Sequence, residues 1–170
     1  LVRCRGLGDV YKRQVPTCSF CRKWIALMAI YHFSAKVISR AVGSSAVAAA
    51  AYRSADRLHD ERLGRSHDFT NKAGVVHSEV MLPEGAPEEW RDREQLWNDI
   101  EAVEIRKDAQ LAREIEFAIP RELTEEQGIE LARDFVSREF VDRGMVADLN
   151  VHWDVGADGL AKPHAHVMLT

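Results

Sequence analysis

Two alternating segments near the end of the chain, residues 147–155 and 164–170, leave the fewest folding options. Apolar residues fall at every second position in both, so both read as strands. The link between them holds Gly156, Asp158, Gly159 and Pro163, a turn-like composition. Because that link is too short for a parallel crossover, the strands must pair antiparallel. The hairpin then returns His152 beside His164 and His166. The last two share one face, about 7 Å apart along the backbone at roughly 3.3 Å of rise per residue. Two ligands on one face can share a metal, and three neutral imidazoles leave an ion's charge uncompensated and positions open for substrate. On spacing alone, a metal site and a chance His-x-His pair both stand.

The other elements come from periodicity and caps. Residues 29–38 read as a first strand, broken by Gly43-Ser44-Ser45, whose serines can cap an alanine-rich helix over residues 46–58. Residues 59–74 are polar and read as a loop, and residues 75–82 as a strand. Trp90, Trp97, Ile100 and Val103 recur near helical spacing in residues 87–107. Residues 112–120 alternate, with Ile115, Phe117 and Ile119 on one face and Glu114 and Glu116 on the other. Thr124 and Gln127 form a capping box for a helix carrying Ile129, Ala132, Val136 and Phe140, which Gly144 can end. Elements alternate irregularly and no Gly-rich phosphate loop occurs, so the fold class is α+β, a mainly antiparallel sheet with flanking helices.

Residues 1–27 differ from the rest. They hold all three cysteines, Cys4, Cys18 and Cys21, without the second ligand pair or βαβ context that a metal or redox motif needs. The apolar run 24–30 is short for a signal peptide. Asp9-Val10-Tyr11-Lys12-Arg13-Gln14 back-translates to GAT GTG TAT AAG AGA CAG, which resembles the transposase mosaic end used in sequencing libraries. Residues 1–27 are therefore expected to be non-native, adapter followed by upstream read-through, with the natural start at Met28. Residues 28–170 are expected to form one domain, truncated at its C-terminal end. That portion carries 17 basic and 26 acidic side chains, a formal charge of −9 against −4 for the whole sequence. No basic footprint announces a nucleic-acid binder. Without cysteine in the body a disulfide scaffold is ruled out, a cytoplasmic location is expected, and no uncharged stretch is long enough to span a membrane.

A metal beside a phosphate calls for a nucleophile. Tyr52 is the better tyrosine of the body, because it sits among alanines that cannot screen its hydroxyl and Arg53 supplies a cation next to it. A tyrosine merely packing with its hydroxyl at the rim remains the alternative. Either glutamate of the acidic strand could accept a hydrogen bond from a ligand imidazole and fix its tautomer. A solvated sheet face is the other account of the pair.

Met28 through Lys36, the helix with Tyr52, Glu114 through Pro120, Asn150-Val151-His152, and Pro163 through Met168 together resemble the relaxase domain of the MobA/MobL family, in the form carried by Ti-type plasmids. The likeness runs over residues 28–170. It implies a histidine-hydrophobe-histidine endonuclease that nicks one strand at a plasmid origin of transfer through a 5′-phosphotyrosyl intermediate and later rejoins it. Tyr52 matches the nucleophile, His152, His164 and His166 the metal ligands, Glu114 the acidic position that orients a histidine, and Glu116 a second acidic position. The implied cofactor is a divalent metal, Mg²⁺ or Mn²⁺, although three imidazoles by themselves suggest Zn²⁺. The implied partners are single-stranded DNA at the transfer origin, accessory relaxosome proteins and a coupling protein. Rival readings are a replication-initiator-like or non-catalytic DNA-binding module of the same fold, and a histidine-triad nucleotide hydrolase. Met168 stands where the latter would want its third alternating histidine.

Overall fold

The computed structural model describes residues 32–156 and 159–170. The expectations for residues 1–27 lie outside them. The described chain opens with β1 (Phe33–Ser39), a 3-10 turn (Arg40–Val42) and α1 (Ala46–Ser54). Ser45 caps α1, its hydroxyl accepting from the Ala48 amide at 3.2 Å. Then come β2 (Arg57–Asp60), β3 (Arg65–Asp68), β4 (Val75–Met81), a 3-10 turn (Glu88–Arg91) and α2 (Arg93–Val103). Strand β5 (Gln110–Ala118), α3 (Glu125–Glu139), a 3-10 turn (Val141–Arg143), β6 (Ala147–Val155) and β7 (Ala161–Leu169) complete it.

Five strands form one sheet in the order β1-β5-β7-β6-β4, and each neighbouring pair is antiparallel. The expected α+β class is what the chain adopts. Alternate residues of the central strand β7 go to opposite sides. Ala165, Val167 and Leu169 join Leu149 and Val151 of β6 in a core closed by Ala132 and Val136 of α3. Met168 instead joins Ala46, Val47, Ala50 and Ala51 of α1 and Leu96 and Trp97 of α2 in a second core. Because helices cover both faces, β6 and β7 lie in the middle of a layered molecule, and His152 is buried with them.

Most boundaries follow the sequence pattern. The Thr124–Gln127 capping box forms in both directions, and Gly144 takes the left-handed φ of 89° that closes the turn after α3. Three expectations need correction. Residues 59–74 are not one loop, because β2 and β3 pair as a separate hairpin. Beside the buried Leu58, its anchor is a buried carboxylate: Asp60 accepts from the Ser45 hydroxyl at 2.5 Å and the Leu63 amide at 2.8 Å, so hydrophobic periodicity registers it weakly. For the same reason α1 stops early, at Ser54, where Ala55 turns left-handed at φ 59° and releases the chain into β2. Third, the helix expected over residues 87–107 is split. Asp92 starts α2 by accepting from the Glu94 and Gln95 amides, and the helix ends at Val103, which is exposed rather than part of a buried face.

Candidate active site

The register of three adjacent strands assembles the site. His152 of β6 pairs with His164 of β7, and His166 of β7 pairs with Glu116 of β5. Since paired residues of antiparallel strands share a face, all three imidazoles stand on the side of the sheet that carries α1. Their ring centroids lie 4.9–5.1 Å apart, and one ring nitrogen from each falls within 4.8 Å of the others.

Hydrogen bonds set the tautomers. His166 Nδ1 donates to Glu114 Oε1 at 3.0 Å, and His164 Nδ1 donates to the Lys162 carbonyl at 2.9 Å, which leaves an Nε2 lone pair on each ring. His152 Nε2 donates to the Arg53 carbonyl at 2.7 Å, leaving Nδ1 as that ring's acceptor. Burial depresses the His152 pKa to about 4, with Lys72 and the two neighbouring imidazoles adding to the effect against the Arg53 carbonyl, so the ring is neutral at pH 7. One ring nitrogen from each of the three histidines turned to a shared point fits a divalent cation.

Glu114 is buried, which raises its pKa, yet hydrogen bonds from His166 and Arg53 and the charge of Arg53 bring it down to about 2. It is therefore a carboxylate, and Arg53 grips it with Nε on Oε1 at 2.7 Å and Nη2 on Oε2 at 2.5 Å. Glu116 is placed differently. Its carboxylate faces His32 at 3.4 Å and Lys36 at 3.5 Å, and among the described residues it bonds to none of the three rings. It lines a cleft of about 310 Å³ shared with His32, Asp154 and His164, next to the histidine cluster.

Tyr52 lies near the end of α1 and is 51% exposed. Phe69 meets its ring edge-on at 5.3 Å between centroids. The residue after Tyr52, Arg53, bonds the histidine cluster through its carbonyl on His152 and its guanidinium on Glu114. Sequence reasoning overlooked Lys72, whose Nζ sits 4.0 Å from the Tyr52 ring centroid and donates to the Tyr52 carbonyl at 3.1 Å. Burial lowers its pKa, Arg53 adding to this and Asp154 opposing it. Asp154 was also missed. It reaches within 4.0 Å of His164 Nε2, and only a glycine admits it, because a Cβ on Gly74 would lie 2.0 Å from its Oδ1.

The chain has counterparts among known proteins. Residues 44–170 match the family model described as MobA/MobL family. The chain belongs to the MobA/MobL family. It is 45% identical over 153 residues to "Conjugal transfer protein TraA" of Agrobacterium fabrum, an alignment covering 84% of this chain and 14% of that protein. It is 51% identical over 126 residues to "Mobilization protein MobL" of Acidithiobacillus ferridurans, covering 74% of this chain and 32% of that one. A solved structure described as "Molecular Basis of Vancomycin Resistance Transfer in Staphylococcus aureus" superposes with a TM-score of 0.77 at 40% identity, over 84% of this chain and 70% of the other. The chain thus spans about a seventh to a third of the length of these two curated relatives. Tyr52, Glu114 and the three histidines all fall inside the matched region. Among the described residues no helix is long and apolar enough to cross a membrane.

Proposed function

We propose that this MobA/MobL domain is a relaxase that nicks one strand of DNA at a plasmid origin of transfer. The observation that carries the reading is the convergence of three imidazoles beside the end of a helix that exposes Tyr52. The names of its relatives, conjugal transfer and mobilization proteins, point the same way. The rival histidine-triad hydrolase is disfavoured, because Met168 is wholly buried in the core where that chemistry would want a third alternating histidine.

In this scheme His152, His164 and His166 would hold a divalent cation, and Glu114 fixes the His166 ring. When bound, such a cation supplies positive charge to the phosphate oxygens as the transition state forms. The Tyr52 hydroxyl oxygen attacks the scissile phosphorus, and the bond from phosphorus to the 3′ oxygen breaks. The phenolic proton passes to solvent and the departing oxygen takes one up, leaving a 5′-phosphotyrosyl ester and a free 3′ hydroxyl. Reversal by a 3′ hydroxyl rejoins the strand. The substrate is single-stranded origin DNA, and accessory relaxosome proteins and a coupling protein are the partners the role calls for.

Incubating the protein with a single-stranded origin oligonucleotide and Mn²⁺ should yield a covalent adduct stable to denaturing electrophoresis. Tyr52→Phe should abolish it. An adduct that persists in this variant would reject Tyr52 as the nucleophile.

A further inference from the structure

We infer that Arg53 is a positioning residue, locking the tyrosine-bearing end of α1 to the histidine cluster through Glu114; the inference rests on the proposed relaxase chemistry. The guanidinium spends its donors inside the protein. Nε and Nη2 take both Glu114 oxygens at 2.7 and 2.5 Å, and Nη1 donates to the Ala49 carbonyl at 2.8 Å, one turn back along α1. The side chain is 16% exposed and that of Glu114 5%. Three of the guanidinium N–H groups are thus committed inside the protein, which favours a structural hold over a DNA contact.

The grip has two consequences. Glu114 also accepts from His166 Nδ1, so the same carboxylate bridges the helix end and one ring of the cluster. Arg53 then contacts a second ring through its backbone, since its carbonyl accepts from His152 Nε2. A single residue adjacent to Tyr52 therefore touches the supports of two of the three imidazoles. Apart from the His152 bond to the Arg53 carbonyl, α1 meets the sheet through small apolar side chains, Ala46, Val47, Ala50 and Ala51; a planar fork on a buried carboxylate adds a fixed depth and rotation for the helix end. Displacing that end moves the Tyr52 hydroxyl relative to the phosphate it must reach, and misplacement by about 1 Å can cost roughly a hundredfold in rate.

The decisive experiment is a double-mutant cycle read in two ways. In calorimetric titration of the DNA-free protein with Mn²⁺, Arg53→Gln and Glu114→Gln should each weaken binding by about tenfold, the lower end of the effect expected of a group that orients a metal-binding imidazole. The double variant should be no weaker than the weaker single one, because both changes cut the same chain of contacts. Arg53→Lys keeps the charge but loses the fork, and should restore only part of the affinity. In adduct formation, Arg53→Gln should lower kcat by tenfold or more while KM for the oligonucleotide changes less than about twofold. Multiplicative losses in the double variant, unchanged Mn²⁺ affinity, or a rise in KM with kcat preserved would each overturn the inference, the last by marking Arg53 as a DNA contact. Failure of the parent protein to form any adduct would sink the relaxase reading instead, and the Mn²⁺ cycle would still judge Arg53.

Discussion

Burial of His152 gives the metal-free chain a pH signature independent of catalysis. The ring has a folded pKa of about 4 against an ordinary 6.5, first because it is buried and then because Lys72 and two other imidazoles surround it. Below pH 6.5 the unfolded chain takes up this proton and the folded chain does not. Stability contributed by the neutral ring is therefore complete above 6.5 and is lost as pH falls from 6.5 towards 4. Urea unfolding of the metal-free protein should show midpoints falling over that interval, and His152→Gln should flatten the fall. A midpoint as pH-dependent in the variant as in the parent would place the effect elsewhere. At this scale the sequence was legible where chemistry is carried by residue type and strand spacing, as for His152, His164 and His166. It was mute about Lys72 and Asp154, since their place beside Tyr52 and His164 depends on how residues 72–74 return to the sheet.

Among elements, α2 is fastened to the sheet by a buried polar network rather than by apolar contact alone. Arg93 of α2 reaches Asp148 of β6 at 2.9 Å, and the Trp97 indole N–H donates to the same carboxylate at 2.9 Å. Arg93 also bonds Asp56, just past α1, at 2.9 Å, so one guanidinium ties two helices to the strand that carries His152. Asp148 is fully buried, and its removal would leave the Trp97 indole without an acceptor and Arg93 with Asp56 and Ser78 alone. Asp148→Ala should cost roughly 3–5 kcal/mol in denaturant unfolding, the range for breaking a buried ion pair. A loss below about 1 kcal/mol would mean that Asp56 and Ser78 hold Arg93 without Asp148. This network explains why the helix boundaries around it were harder to read than those of α3. The α3 start is written locally, in Thr124 and Gln127, whereas α2 and the β2–β3 hairpin are stabilised by Asp148 and Asp60, acidic residues distant in sequence or hidden in a polar run.

For the molecule as a whole, charge and proposed substrate are in tension, and the tension predicts how DNA binding responds to salt. Residues 28–170 carry a formal charge of −9. Arg53 is consumed by Glu114, Arg93 by Asp148 and Arg40 by Glu101, so much of the basic content near the cores is already neutralised inside the fold. Lys72, beside Tyr52, remains at the mouth of the site. An acidic domain that grips a single strand through a local cluster makes few phosphate contacts. Each contact contributes about −0.7 to the slope of log affinity against log salt on single strands. With about two to four contacts the slope should lie near −1.5 to −3, measured by fluorescence anisotropy of a labelled oligonucleotide across a salt series. Lys72→Ala should make it shallower by about 0.7, the share of one phosphate. A slope steeper than about −5 would demand more phosphate contacts than a local cluster supplies, and would move the principal DNA contacts away from the histidine face.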